Sequence, residues 1–206
     1  MLEPIDVVNE AAFLAGATPL ASLDASTQTA AGARLAYDRL LGHMLGIHWF
    51  SWSLSTRQLS RLADAVPLTG YKYVFALPPD RVGNPRAIIA DIKRPDALYP
   101  TYLLEGDQVH ADDDPLFARI RTKAPPRLWS GPFREAFTVA LAANFAYSLK
   151  RNRGLASELK LDAFGPPSMS DRGGKMLAAI LDDGQSTPSM ENPVLAYDPL
   201  TTAWGS

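Results

Sequence analysis

The alanine-rich segment FREAFTVALAANFAYSLKRN, residues 133–152, constrains the fold more than any other part of the chain. Large apolar side chains recur at every fourth position, which is the spacing of one helix face, and alanines cover most other faces. The residues of this stripe are Phe133, Phe137, Leu141, Phe145 and Leu149. Such a helix is buried on several sides, so we expect other helices around it, with Gly154 as the residue that breaks it.

Two helices are predicted ahead of it. The first begins at Pro4, whose missing N–H costs nothing at a helix start, and ends at Gly16. The second is capped by Asp24 or Ser26 and runs to about Gly46. Its apolar stripe consists of Ala30, Ala33, Tyr37, Leu40, Leu41, Met44 and Ile47. The many alanines predict a close approach between helices.

The apolar period then changes from helical to alternating. Phe50, Trp52 and Leu54 alternate with serines, which favours an extended segment, and residues 71–127 are predicted to be rich in β-structure. This part holds the aromatic strand YKYVFA, the run RAIIADI, the hairpin YLLEGDQVHA and the strand LFARIRTK. Frequent prolines keep such strands short. Leu77, Pro78 and Asp80 follow the aromatic strand and are interpreted as a structural corner.

A helical pair, LASELKLDAF and MSDRGGKMLAAILDD, follows the alanine-rich helix and is separated by Gly165-Pro166-Pro167. From Gly184 onward the chain has turn residues and no period, so an extended tail is expected. The predicted fold class is α+β, a mainly α-helical bundle with a β-rich insert. We expect N-terminal helices over 1–48, the insert over 49–127, C-terminal helices over 128–183 and the tail over 184–206.

The composition excludes several classes of protein. A hydrophobic share of 47% with 20% charged residues is typical of a globular chain. The formal charge of -2 gives no general attraction to nucleic acid or to acidic membranes, and no basic recognition helix is found. The chain has no cysteine, which rules out disulfides and thiolate sites. The acidic N-terminus and the lack of roughly 18 consecutive apolar residues predict a soluble protein without a signal peptide.

No catalytic motif, cofactor site or metal site is recognised, so we expect no enzyme. His43 and His48 are five residues apart, which is not a metal pair on one helix face, and a packing or helix-end role is predicted for each. The aspartates after His110 lack the spacing of a calcium loop and are interpreted as a solvated turn. The alternative function is a small-molecule enzyme or binding domain with Asp80, Glu105 and His110 at its site.

Two groups of basic residues are candidates for ionic interfaces. Lys150, Arg151 and Arg153 stand where cations favour a helix C-terminus, and contact with a partner is the second interpretation. A second group alternates along a strand and shares one face, which predicts a solvated face first and an ionic interface second. Its members are Arg119, Arg121 and Lys123.

The order of the motifs resembles the phage head–tail connector (adaptor) family of the tail tubular protein A type. The matching residues are Val8-Asn9, Gly16, Pro19, Ser22-Leu23, Tyr37-Asp38, Trp49 and Trp52, then Tyr71, Tyr73, Leu77, Pro78, Asp80, Glu105-Gly106, Leu128-Trp129, Phe133, Ala136 and Leu141-Ala142-Ala143. The similarity covers about residues 7 to 150. Gly165-Pro166-Pro167 and Gly173-Gly174 interrupt a region that is one unbroken helix in the family.

The resemblance implies a structural virion protein at the head–tail junction, made in the host bacterial cytoplasm. Its expected partners are further copies of itself in a ring, typically of twelve, the portal protein above and a tail protein below. DNA would pass through the channel without sequence-specific binding. The tail segment is expected to dock on the portal through Tyr197, Leu200 and Trp204, and the alternative is a segment folded back on its own subunit.

Overall fold

A computed structural model describes residues 2–65, 67, 70–94 and 97–186. The fold is mixed α+β, as the sequence predicts, with 46% of the described residues in helices and 17% in strands. The helices are α1 (Pro4–Leu14), α2 (Gln28–Ile47), α3 (Gly131–Ser148), α4 (Arg153–Phe164) and α5 (Gly174–Ser186). The strands are β1 (Leu54–Gln58), β2 (Ser60–Arg61), β3 (Tyr73–Ala76), β4 (Ala87–Ile89), β5 (Tyr102–Glu105), β6 (Gln108–Ala111) and β7 (Phe117–Arg121).

Helix α3 lies at the centre of the helical part and contacts α1, α2, α4 and α5. Phe133, Phe137 and Leu141 are completely buried, as the stripe predicts, and the alanines between them are buried as well. Leu149 is the exception, since it follows the last residue of α3 and is 45% exposed. The small alanine side chains allow the surrounding helices to approach α3 closely on several sides.

The β-rich part forms two antiparallel sheets with the strand orders β1-β7-β4 and β2-β3-β6-β5. Buried side chains from both sheets form a second apolar core, separate from that of the helices. The main contributors are Ile88, Ala118 and Ile120 from the first sheet and Phe75, Val109 and Ala111 from the second. The predicted hairpin is confirmed as β5 and β6, with Gly106 at the turn in a left-handed conformation that favours glycine.

Several predicted boundaries were wrong. The N-cap of α2 is Thr27, whose hydroxyl accepts a hydrogen bond from the Ala30 amide, so the chain up to Ser26 stays outside the helix. Gly154 does not break the alanine-rich helix. That helix ends at Ser148, Arg151 adopts a left-handed conformation, and Asn152 caps α4, which places Gly154 in the first turn of α4.

Two further predictions are corrected at the ends of the insert and of the described chain. The alternating residues 50–54 are not one extended segment, because Ser51–Ser53 form a 3-10 turn and β1 begins only at Leu54. The turn directs both Phe50 and Trp52 into the same aromatic cluster. The predicted tail does not begin at Gly184, since α5 continues to Ser186.

The connection between α4 and α5 depends on glycine. Gly174 has a φ of +54°, and a Cβ atom there would lie 2.2 Å from the carbonyl oxygen of Asp162. Gly165 also has a positive φ, and its Cβ would lie 2.9 Å from the Cα of Gly173. No other residue type fits such contacts without moving the backbone. These glycines therefore allow a close turn between α4 and α5.

Candidate functional site

Five aromatic residues, four of them motif residues, meet where the helices join the β-rich part. The ring of Trp129 lies 4.8 Å from that of Phe137 and 5.2 Å from that of Phe133, measured between centroids. Trp52 reaches Phe133 at 4.7 Å, and Tyr37 stacks on Trp129 at 6.1 Å. These side chains come from α2, from the entry to the insert, from the loop before α3 and from α3 itself. The cluster therefore fixes the insert to the helices.

Tyr37 and Asp38 strengthen the same junction from α2. Burial raises the pKa of the Tyr37 hydroxyl, and the neighbouring charge of Asp38 adds to the rise. The Asp38 carboxylate in turn lies 3.1 Å from the ammonium group of Lys123, just beyond the end of β7. The pair links α2 to the end of the insert.

Asn9 has a structural function that the sequence motif did not reveal. Its side-chain amide donates to the carbonyl of Leu20 at 2.9 Å and accepts from the amide of Leu20 at 2.7 Å. These two bonds hold the loop after α1, which turns at Gly16 with a φ of +64°. One bidentate contact thus joins Asn9 of α1 to Leu20 at the far side of this loop.

Arg121 is not on a solvated face, and that prediction was wrong for this residue. Its side chain is buried, its guanidinium lies 3.9 Å from the centroid of Trp49, and it donates to the carbonyl of Leu45 near the end of α2. Burial lowers the pKa of Arg121. Of the same group, Arg119 is half-buried and Lys123 is exposed. A cation is favoured at the end of α2 because free carbonyls point toward it.

The residues interpreted as a corner lie at a turn after β3. The Leu77 amide donates to the carbonyl of Asp107 in the hairpin at 2.8 Å, and Leu77 itself is buried. Asp80 pairs with Arg57 of β1 at 2.9 Å. Arg81, next in the chain, donates to the carboxylate of Asp107. The corner therefore connects the two sheets.

The residues of the alternative function do not share one cavity at this corner. A cavity of about 600 Å³ is lined by Asp80 and Arg57, but Glu105 and His110 are not among its lining residues. His110 is buried in β6, and its Nε2 lies 3.7 Å from the Glu105 carboxylate. Within residues 2–65, 67, 70–94 and 97–186, no group of three or more potential metal ligands is present.

The predicted acidic turn after His110 is partly engaged in contacts. The Asp112 carboxylate accepts from the backbone amide of Lys72, and Asp114 pairs with Arg61 at 3.3 Å. These contacts hold the turn against the second sheet. His43 and His48 also contact carboxylates. His43 lies 3.1 Å from Asp171, and His48 lies 3.0 Å from Asp183.

Asp183 anchors the end of α5 to the end of α2. Its carboxylate accepts from the amide of Ser51 at 2.8 Å, from the hydroxyl of Ser51 at 2.6 Å and from His48 at 3.0 Å. The Asp183 side chain is only 6% exposed. Residues that are 132 to 135 positions apart in the chain are thus joined at the point from which the C-terminal segment leaves.

A groove with a volume of about 1430 Å³ runs between α2 and α4 over α3. Small residues form much of its floor, and Leu35 and Tyr147 stand exposed on it at 62% and 59%. The charged side chains that line it are Arg39, Arg153, Lys160 and Asp171. The three cations form no ion pair with any residue in the described part of the chain, whereas Asp171 contacts His43. This groove is the main candidate interaction surface.

A second apolar surface lies on α5. Met176, Ala179 and Asp183 face inward, whereas Leu177 and Leu181, which are one helical turn apart, are 42% and 57% exposed. The basic residues Lys150, Arg151 and Arg153 lie at the α3–α4 connection and are all exposed. The predicted position at a helix C-terminus was wrong for Arg153, which is the first residue of α4. Of these, Arg153 also lines the groove.

The residues predicted to dock on the portal, Tyr197, Leu200 and Trp204, lie outside the described residues. The groove was not predicted from the sequence. Leu35 and Tyr147 did give a signal for it, since both are large apolar residues outside the buried stripes of their helices.

The chain matches no protein-family model, and a search of curated proteins finds no significant match. No helix in the described part of the chain is long and apolar enough to cross a membrane.

Proposed function

We propose that the chain is a subunit of a phage head–tail connector, a ring that joins the portal to the tail and lets DNA pass through its channel. The observation that carries the proposal is the ordered set of family motifs from Val8-Asn9 to Leu141-Ala142-Ala143. Their contacts support it, since Asn9 holds the loop after α1, while Tyr37, Trp52 and Trp129 pack at one junction.

The exposed surfaces also suit a ring subunit. A subunit that contacts a neighbour on each flank needs two different apolar surfaces, because a head-to-tail ring is built from heterologous contacts. The groove between α2 and α4 and the outer face of α5 are two such surfaces. The formal charge of -2 suits a DNA channel, since a strongly basic wall would retain the passing phosphates.

Docking on the portal through the C-terminal segment is tested by deleting residues 187–206. The deletion begins after the last residue of α5, so we expect a folded subunit with an unchanged helical signal in circular dichroism. Attachment to portal-bearing heads of the parent phage should fall by at least about a hundredfold, because three apolar anchors are lost at about 1–2 kcal/mol each. Co-sedimentation measures the loss, with heads that lack the portal as the control. Unchanged attachment of the shortened chain would refute docking by this segment.

A further inference from the structure

The groove between α2 and α4 is basic as well as apolar. Arg39, Arg153 and Lys160 line it against a single carboxylate, that of Asp171, which leaves an excess of two positive charges. Exposed apolar surface is unfavourable in water, and a partner with apolar and acidic side chains would cover that surface and complement the charge of the cations.

Residues 187–206, TPSMENPVLAYDPLTTAWGS, have this chemistry. The segment contains Glu191 and Asp198 and no lysine, arginine or histidine, so its side chains carry two negative charges. Prolines at 188, 193 and 199 disfavour a helix and favour an extended strand-like peptide. Its apolar residues are Met190, Val194, Leu195, Tyr197, Leu200 and Trp204. The side-chain charge of the segment is therefore opposite and equal to that of the groove.

The described chain ends close to one end of the groove, and the segment that follows is long enough to fill it. Asp183, near the end of α5, contacts His48 just after α2, while the groove begins at His43, about one and a half helical turns or about 7.5 Å back along α2. From His43 to Gln28 the groove spans fifteen residues of α2, or about 22 Å. About seven extended residues cover that distance, so a segment of twenty residues has length to spare.

We propose that residues 187–206 bind in the α2–α4 groove of their own chain, antiparallel to α2, while the subunit is free. The acidic residues Glu191 and Asp198 lie against the basic rim, and apolar side chains such as Leu195 and Tyr197 cover Leu35 and Tyr147. The binding is intramolecular, so it needs only a weak contact to be populated, because the linker keeps the effective concentration high.

This contact gives the free subunit a means of delaying ring formation, a consequence that rests on the proposed function. The segment that covers the groove is the one expected to dock on the portal. When the portal takes the segment, the groove becomes free for a neighbouring copy. Rings would then form on the portal and not in solution, because both events compete for the same apolar side chains.

The position of the segment can be measured by cross-linking, because the chain has no cysteine of its own. One cysteine is placed in the segment as Ala196→Cys and one in the groove as Ser157→Cys, and a short bis-maleimide joins them. The matched control pairs Ala196→Cys with Ala178→Cys on the outer face of α5, which is also exposed and within reach of a free segment. We expect cross-linking at Ser157→Cys to be about tenfold faster than at the control site.

Charge reversal at the rim provides the second arm of the test. The double replacement Arg153→Glu with Lys160→Glu should lower the cross-linking rate at Ser157→Cys to that of the control site. Arg34→Glu, on α2 but outside the groove, should leave the cross-linking rate at Ser157→Cys unchanged. Mixing isotope-labelled and unlabelled chains separates links within one chain from links between copies. Equal rates at both sites, links mainly between copies, or a rate that is insensitive to the reversal would each overturn the proposal. The free chain is used without a portal, so these outcomes are independent of the portal-attachment result.

Discussion

Replacement of Phe133 by alanine is expected to lower the free energy of unfolding by about 3–5 kcal/mol. Phe133 is completely buried, and its ring contacts those of Phe50 and Trp52 at 4.7 Å each and that of Trp129 at 5.2 Å. The loss combines the transfer of the ring to water with a cavity that these rigid aromatic neighbours cannot fill by small shifts. Denaturant titration, followed by tryptophan fluorescence and circular dichroism, measures the effect.

Phe13→Ala is the matched control, because the same chemical group is removed from a helix position that is 79% exposed. We expect this variant to stay within about 0.5 kcal/mol of the parent chain. A Phe133→Ala loss as small as that of Phe13→Ala would contradict the account of the aromatic cluster as the junction between helices and insert.

The replacement Asp183→Ala is expected to cost about 2–3 kcal/mol and to release the end of α5. The buried carboxylate accepts three hydrogen bonds, two from Ser51 and one from His48, and alanine leaves these donors without that acceptor. Hydrogen exchange should show faster exchange of the α5 amides, with α3 amides much less affected, because α5 loses its anchor before the whole chain unfolds.

Asp183→Asn is the conservative comparison for this anchor. Its side-chain oxygen can still accept from Ser51, so we expect less than half of the loss seen with alanine. Unchanged protection of the α5 amides in Asp183→Ala would show that the apolar contacts of Met176 and Ala179 hold the helix by themselves.

The elements that sequence reasoning predicted well are those whose signal is local. The stripe from Phe133 to Phe145 has a helical period over many residues, and alanines on its other faces leave burial on several sides as the physical outcome. The hairpin was predictable because Gly106 supplies the left-handed conformation that its turn requires. Both signals depend on neighbours in the chain.

The wrong predictions concern places where the local sequence is compatible with more than one structure. Asp24, Ser26 and Thr27 are all good N-caps, and the choice of Thr27 depends on how the preceding loop is held. The alternation of Arg119 and Arg121 shows that the two side chains share a face, but not that the face is covered. It is covered at Arg121 because the end of β7 meets Trp49 and the end of α2.

The groove and the Asp183 anchor depend on contacts between distant parts of the chain. The groove is formed by three helices, and no one of them reveals it alone, although exposed Leu35 and Tyr147 contribute to it from α2 and α3. Asp183 and Ser51 are 132 residues apart, and nothing in either local sequence identifies the partner. Such sites follow from packing, which a single sequence does not specify residue by residue.

Electron microscopy of portal-bearing, tail-less heads of the parent phage after addition of the purified full-length chain tests the connector proposal most directly. The account predicts a closed ring of this chain beneath each portal, typically of twelve copies, with a continuous central channel and with the groove of each subunit free of its own C-terminal segment. Heads without a portal should carry no ring. Heads whose portals remain bare in the presence of excess folded chain would contradict the proposed function.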